Sequence, residues 1–335
     1  MTKVLVTGGA GFIGSNFVRI LLRERSDWQV VVLDKLTYAG RRENVPEGAE
    51  FVHGDIADPE AVARAMQGCT HVFNFAAESH VDRSLMSGAG GAGAFVQTDV
   101  YGVYVLLEEA KRQGVERFVQ VSTDEVYGDV PEGHSGENDP LAPRSPYSAT
   151  KAGGELIARS YFVSHNLPVI ITRGSNTFGP YQYPEKLMPL FITNALQDLF
   201  LPLYGDGLQR RDWLYVEDHA RGILCAAEKG TPGEAYNIGG GNERTNRDVT
   251  SIILNLLDKT DALIKHVSDR PGHDRRYAVD SNRLKGLGWQ PGGDFESNLA
   301  ATVHWYRDNE QWWRAIRDDA EYQSYYKANY EKRGA

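Results

Sequence analysis

A run of glycines between a β-branched strand and an amphipathic helix constrains this chain more than any other feature. Gly8-Gly9-Ala10-Gly11-Phe12-Ile13-Gly14 follows the apolar residues 4–7 and opens a helical stretch at 11–24. Lacking Cβ atoms, the loop can turn tightly and let its backbone approach a pyrophosphate seated on the helix N-terminus. The glycines fall three apart, at Gly8, Gly11 and Gly14, rather than in the GxGxxG spacing, so on its own the loop would also suit a purely steric turn. The residues beyond the loop set the fold class. Apolar runs at residues 29–34, 51–53, 71–74, 117–122 and 169–173 alternate with helical patterns at 59–66, 98–113 and 147–165. That alternation predicts an α/β chain with a doubly wound, Rossmann-type parallel sheet over residues 1–173.

After Arg173 the rhythm breaks into Gly/Pro/Tyr-rich loops, with helical stretches at 187–199, 216–227, 246–257 and 295–308. Residues 174–335 are read as a smaller, mixed α/β substrate lobe, some segments of which return to the first domain. A chain of 335 residues can bury its core without a metal or a disulfide. Cys69 and Cys225 form no metal-ligand pattern, so no metal site is expected and a reducing cytoplasm is the natural compartment. No leader-like segment or run of about 20 apolar residues appears, and a soluble protein with no membrane partner is expected. A net charge of −9, with both signs mixed, argues against nucleic acid but leaves room for a local basic pocket that holds a small anion. The Gly/Ala run at 87–94 reads as a surface loop or a lid edge. The aromatic tail around Trp305, Trp312, Trp313, Tyr322, Tyr325 and Tyr326 has the spacing of helix packing, and no chemistry is assigned to it.

Asp34 ends the second strand 20 residues after Gly14, where a carboxylate can accept from both ribose hydroxyls and repel a 2′-phosphate. NAD is therefore expected over NADP, although Lys35 beside it could pair with a phosphate. In His53-Gly54-Asp55-Ile56 a carboxylate could meet the adenine amino group, and in Phe75-Ala76-Ala77-Glu78-Ser79 small residues let a dinucleotide pass. The expected cofactor-binding residues are Gly8, Gly11, Phe12, Ile13, Gly14, Asp34, Lys35, Thr37, Asp55, Ile56, Phe75, Ala76, Ala77, Ser79, Thr98, Tyr147 and Lys151.

Tyr147-Ser148-Ala149-Thr150-Lys151 puts a phenol and an ammonium four apart at the start of a helix, on one face. The cation is expected to lower the tyrosine pKa and make it a base for a sugar hydroxyl, while Ser122-Thr123 can supply a hydroxyl to the same oxygen. Gly8-x-x-Gly11-x-x-Gly14 combined with Tyr147-x-x-x-Lys151 resembles the extended short-chain dehydrogenase/reductase family, and the similarity runs over nearly the whole chain.

Two adjacent carboxyls, Asp124 and Glu125, follow Thr123 at the C-terminal end of a strand, where open α/β sheets bind ligands. Simple hydride transfer needs neither. Removing water across two sugar carbons needs both a base and an acid. With Ala77-Glu78-Ser79-His80-Val81-Asp82-Arg83-Ser84 before it and Pro180-Tyr181-Gln182-Tyr183-Pro184-Glu185-Lys186-Leu187 after it, the segment looks like that of the dTDP-glucose 4,6-dehydratases. The resemblance implies C4 oxidation by NAD with Tyr147 and Thr123, water elimination across C5 and C6 by Glu125 and Asp124, and hydride return to C6. It also implies a dTDP-glucose site made of Ser79, Thr123, Asn176, Lys186, Leu187, Pro202 and Tyr204, with Arg211, Asn242, Arg270 and His273 on the diphosphate. The same resemblance implies a homodimer on helices 98–113 and 147–165; Val100, Val103, Tyr104 and Leu107 give the first an apolar stripe, which the sheet could equally cover. The chain departs from the family in its longer run at 87–94 and in Asp99, where asparagine is usual. Two alternatives remain: a nucleotide-sugar 4-epimerase, which has no work for Asp124 and Glu125, and an NAD-binding regulatory protein without turnover.

Overall fold

In the computed structural model, which describes residues 2–86, 88, 90–269 and 274–331, the first half winds alternately through strand and helix. In chain order these are β1 (Lys3–Thr7), α1 (Phe12–Glu24), β2 (Gln29–Asp34), β3 (Glu50–His53), α2 (Pro59–Met66), β4 (His71–Asn74), α3 (Val103–Gln113), β5 (Arg117–Thr123), α4 (Pro146–His165) and β6 (Val169–Gly174). The second half adds β7 (Asn176–Phe178), α5 (Leu187–Leu196), β8 (Leu201–Tyr204), β9 (Arg210–Tyr215), α6 (Val216–Lys229), β10 (Ala235–Ile238), β11 (Glu243–Thr245), α7 (Asn246–Leu256) and β12 (Ile264–Val267). It ends with α8 (Phe295–Asp308), α9 (Glu310–Arg317) and α10 (Ala320–Tyr326).

The doubly wound expectation is met. A seven-stranded sheet runs β10-β6-β5-β4-β1-β2-β3, and every pairing in it is parallel. Its central strands are largely apolar because both faces are covered. Along β1, Val4 and Val6 face a core with Phe17, Leu21, Val30 and Val32, while Leu5 faces the opposite core with Val31, Leu33, Val103 and Leu106. The order reverses between β1 and β4, which opens a crevice at their C-terminal ends. The last strand of the sheet, β10, comes from the second half, and α6 joins α1 through Ile223, Leu224 and Ala227.

The remaining elements form two small sheets, β11-β9-β7 and β12-β8, around a core of Phe178, Phe191, Trp213, Ile253, Leu299, Tyr306 and Trp313. Tyr306 and Trp313 are among the largest fully buried side chains, so the aromatic tail packs along α8 and α9.

Two expectations change. The helix read as 98–113 begins with a π-helical turn, Val96–Gly102, before α3. Gly154 of α4 lies so close that a Cβ there would sit 2.3 Å from the Asp99 carbonyl oxygen, which brings the wider turn directly against α4. The apolar stripe read as a partner surface is mostly internal: Val103 and Leu107 are fully buried against the sheet, and only Tyr104 of the four is exposed. An amphipathic helix on a sheet ordinarily spends its stripe there.

Candidate active site

The C-terminal ends of β1, β2, β4 and β5 converge on a cavity of about 230 Å3. Each of the seventeen residues expected to bind the cofactor lines it, from Gly8 in the first loop to Tyr147 and Lys151 on α4. Gly8 has a φ of +67°, and a Cβ there would fall 2.5 Å from the Ala76 nitrogen, so the loops after β1 and β4 can meet only if residue 8 is glycine. At Gly11 a methyl group would approach only the Gly8 carbonyl, at 3.2 Å, and would otherwise take up space in the cavity itself. The first turn of α1 has no acidic residue and no side-chain cap, which keeps the positive end of the helix available to an anion. Asp34 accepts from the Ala10 and Leu36 nitrogens at 2.9 and 2.8 Å, fixing the carboxylate at the end of β2. Lys35 is paired with Asp55 at 2.6 Å, an interaction the sequence did not disclose; the base beside Asp34 is engaged by the acid read as an adenine contact. This cradle fits NAD.

A second cavity, of about 260 Å3, adjoins the first. Thr123, Asp124, Glu125, Asn176, Leu187, Pro202, Tyr204 and Arg211 line it, and Phe12, Ile13, Ser79, Ser122, Tyr147 and Lys186 line both. Tyr147 thus stands at the junction. Its position is set by a capping box in which Ser145 Oγ accepts from the Ser148 nitrogen and Ser148 Oγ from the Ser145 nitrogen, each at 3.1 Å, with Pro146 beginning the helix. Lys151, one turn on, donates to the Val121 carbonyl of β5 at 2.7 Å, which locks α4 to the strand bearing Thr123.

Burial opposes the expected effect of the cation on the tyrosine. Burial, then the nearby charges of Glu125, Asp99 and Asp124, push the Tyr147 phenol well above its ordinary value, while the Thr123 hydroxyl works the other way. The ammonium of Lys151 is itself lowered by burial and supported by Asp99 and Glu155. Within the protein's own groups, burial thus opposes the phenolate, and a base here needs further positive charge beside it. Asp99, which had no assigned role, accepts from Thr150 Oγ1 and the Glu78 nitrogen, each at 2.9 Å.

Asp124 and Glu125 are placed differently. Asp124 is buried; its Oδ1 accepts from Thr123 Oγ1 at 3.2 Å, and its Oδ2 has no hydrogen-bond partner among the described residues. Burial first, then Glu125 and Asp212, raise its carboxyl well above the usual range, so it carries a proton. Glu125 is only half-buried, with its nitrogen on Thr123 Oγ1 at 3.3 Å. A neutral acid and a more accessible carboxyl on consecutive residues have the environments of an acid/base pair.

The remaining substrate residues divide. Arg211 is buried on the cavity wall and holds the backbone carbonyls of Arg210 and Asp274 at 2.8 and 2.9 Å. Asn176 has a buried Oδ1 without a partner among the described residues. Asn242 lies outside both cavity linings, with its side chain on the Gly240 carbonyl at 3.0 Å. Arg270 and His273 fall outside the described residues, as do Ser87 and Ala89 of the Gly/Ala run. The sequence reading missed His219, whose ring packs on Gly174 and whose Nε2 is buried on the cavity wall, and the pair Glu185 and Arg83. Both members of that pair lie in segments quoted for the resemblance, but no local spacing marks them.

Residues 5–302 match the family described as GDP-mannose 4,6 dehydratase. A dTDP-glucose 4,6-dehydratase of Streptomyces antibioticus is 50% identical over 323 residues, covering 94% of this chain and 95% of its own. The low-salt glycan biosynthesis protein Agl12 of Haloferax volcanii is 50% identical over 313 residues, covering 92% and 99%. Among solved structures, the dTDP-glucose 4,6-dehydratase DesIV from Streptomyces venezuelae, with NAD and TYD bound, superposes with a TM-score of 0.90 at 48% identity. That match covers 94% of this chain and all of the other. A Thermus thermophilus UDP-glucose 4-epimerase in complex with NAD has a TM-score of 0.86 at 34% identity, covering 92% of this chain and 100% of its own. Since an epimerase shares the fold so closely, the division between reactions rests on the side chains.

Proposed function

The chain belongs to the dTDP-glucose 4,6-dehydratase family, and on that premise we propose that it is a hydro-lyase converting dTDP-glucose, with NAD, to dTDP-4-keto-6-deoxyglucose. The observation that carries this reading is the buried Asp124 beside the half-buried Glu125, in a cavity that shares Tyr147 with the dinucleotide cradle. An epimerase has no step that needs this pair.

Gly8, Gly11 and Gly14 would receive the pyrophosphate, Asp34 the ribose, and Phe75 to Ala77 with Thr98 the far half of the dinucleotide. When bound, NAD supplies a positively charged ring that accepts hydride from C4 and gives it back at C6. Tyr147 would take the C4 hydroxyl proton as the phenolate, a form that Lys151 and the positive ring of bound NAD would favour, with Thr123 donating to the same oxygen. Glu125 removes the C5 proton, which the new C4 ketone has made acidic. Asp124 protonates the C6 oxygen so that water leaves, and Glu125 returns the proton to C5. Lys151 holds α4 against β5 and keeps positive charge near the phenol. Arg211 on the cavity wall would bind the diphosphate, as Arg270 and His273 would by the family resemblance alone; Asn176 and Ser79 would hold the sugar side, and Lys186, Leu187, Pro202 and Tyr204 would flank the base. Asn242 acts at a distance, its backbone nitrogen on Asp212 Oδ1 at 2.8 Å holding the turn before β11 to β9.

We propose the same division of labour between regions as between cavities: residues 1–173 carry the cofactor and 174–335 mainly the sugar nucleotide, with α6 and β10 returning to the first. The protein acts as a cytoplasmic homodimer, its two cysteines remaining thiols. Support for the dimer comes from the outward side of the 96–113 segment and α4, where Val96, Tyr101, Tyr104, Leu156 and Val163 are exposed. Incubating the purified protein with dTDP-glucose, UDP-glucose and CDP-glucose, without added cofactor, tests the function. Formation of the 4-keto-6-deoxy product from dTDP-glucose is expected; a C4 epimer instead would favour the epimerase.

A further inference from the structure

Across the wall of the dinucleotide cavity runs a largely buried polar set that none of the chemical steps uses. Tyr38 lies in the loop after β2, Arg83 in the short helix Val81–Ser84, and Glu185 just before α5. The Tyr38 hydroxyl is shared between Glu185 Oε1 at 2.9 Å and the Ser79 carbonyl at 3.1 Å. Arg83 Nε donates to Glu185 Oε2 at 2.9 Å, so both oxygens of the carboxylate are engaged. The guanidinium lies 3.4 Å over the Tyr38 ring and 4.5 Å over that of Tyr325. The side chains of Arg83 and Glu185 are 12% and 2% exposed. Burial and the Glu185 charge push the Tyr38 phenol well up, which keeps it a donor.

A buried ion pair is a poor source of net stability, because desolvation offsets its attraction, and in some proteins its use is to specify one arrangement. Here the arrangement joins the loops after β2 and β4 to the segment leading into the second lobe. Tyr38 and Glu185 line the dinucleotide cavity, and Glu185 lines the substrate cavity as well. Widening the crevice for a dinucleotide to leave means parting Tyr38 from Glu185 and leaving a carboxylate short of a donor. We infer that Tyr38, Glu185 and Arg83 form a clasp that closes the cofactor cavity and sets the rate at which the dinucleotide escapes. The inference rests on the reading of that cavity as the NAD site. It gives the chain a physical means of keeping a cofactor through a cycle that ends with NAD oxidised again.

The test is an exchange experiment on the full-length holoprotein. Wild type, Tyr38→Phe and Glu185→Gln are loaded with NAD+, transferred into excess isotopically labelled NAD+, and the loss of unlabelled dinucleotide is followed by mass spectrometry. Release from Tyr38→Phe should be about tenfold faster, the scale of one hydrogen bond to a charged group, and faster still from Glu185→Gln. Tyr38→Phe removes a single oxygen, so it decides the matter even if Glu185→Gln does not fold. Wild-type release rates in cooperatively melting Tyr38→Phe protein would overturn the clasp while leaving the cofactor site intact. Wild-type protein that takes up no dinucleotide would overturn the site reading, and the clasp with it.

Discussion

Thr150 donates its hydroxyl to Asp99 Oδ2 at 2.9 Å, one residue before Lys151, and so seats a buried carboxylate beside a buried ammonium. Burial pushes Asp99 up to about 7; Lys151, then Thr150 and the Glu78 nitrogen, keep it from rising further, while the Glu78 charge adds to the rise. Between the ordinary carboxylate value and about 7 the folded protein holds a proton that the unfolded chain has lost. The Asp99 contribution to stability therefore falls as pH rises through that window, and the loss is complete above it. Asp99→Asn has no such proton. Its stability relative to wild type should improve between about pH 4 and pH 8 by on the order of a few kcal/mol, read from denaturant melts at matched pH. Parallel profiles would show that Asp99 ionises normally in the folded protein.

Asp124→Asn keeps the shape of the acid but removes its proton. Exchange of the C5 hydrogen with deuterated solvent should persist, since Glu125 remains, while water loss slows by about 10²- to 10⁴-fold. Equal slowing of both steps would mean that Asp124 does not act on the C6 oxygen alone.

Leu156 and Val163 are 54% and 72% exposed on one helix, α4. Wild-type protein at micromolar concentration should scatter light as a dimer, and Leu156→Asp with Val163→Asp should give a folded monomer. A wild-type monomer would leave these side chains without a partner.

Where function depends on local spacing, the sequence was legible. The glycine loop, Asp34 and the Tyr147/Lys151 pair are each set by one turn or one strand end, and the residues named from them share one cavity. Contacts between distant segments were not. Tyr38 meets Glu185 across 147 residues and Thr150 meets Asp99 across 51, and nothing near either residue announces the partner. Lys35 looked free to meet a phosphate because its bridge to Asp55 depends on how β2 and β3 pair. The stripe on α3 was read correctly as apolar, but a periodicity cannot say which surface covers it, and Val103 and Leu107 lie against the protein's own sheet. The burial of Tyr147 was hidden for a related reason: the helix spacing shows the cation, while the groups that enclose the phenol come from the fold.

The role of Glu125 begins only after C4 has been oxidised, and Glu125→Gln isolates it: the amide keeps the size but cannot take a proton. Mixed with dTDP-glucose, the variant should accumulate reduced cofactor on the enzyme, followed by its absorbance, with no exchange of the C5 hydrogen for solvent deuterium and no product. Turnover near the wild-type rate with normal C5 exchange would place the base elsewhere and contradict the assignment of the Thr123-Asp124-Glu125 segment.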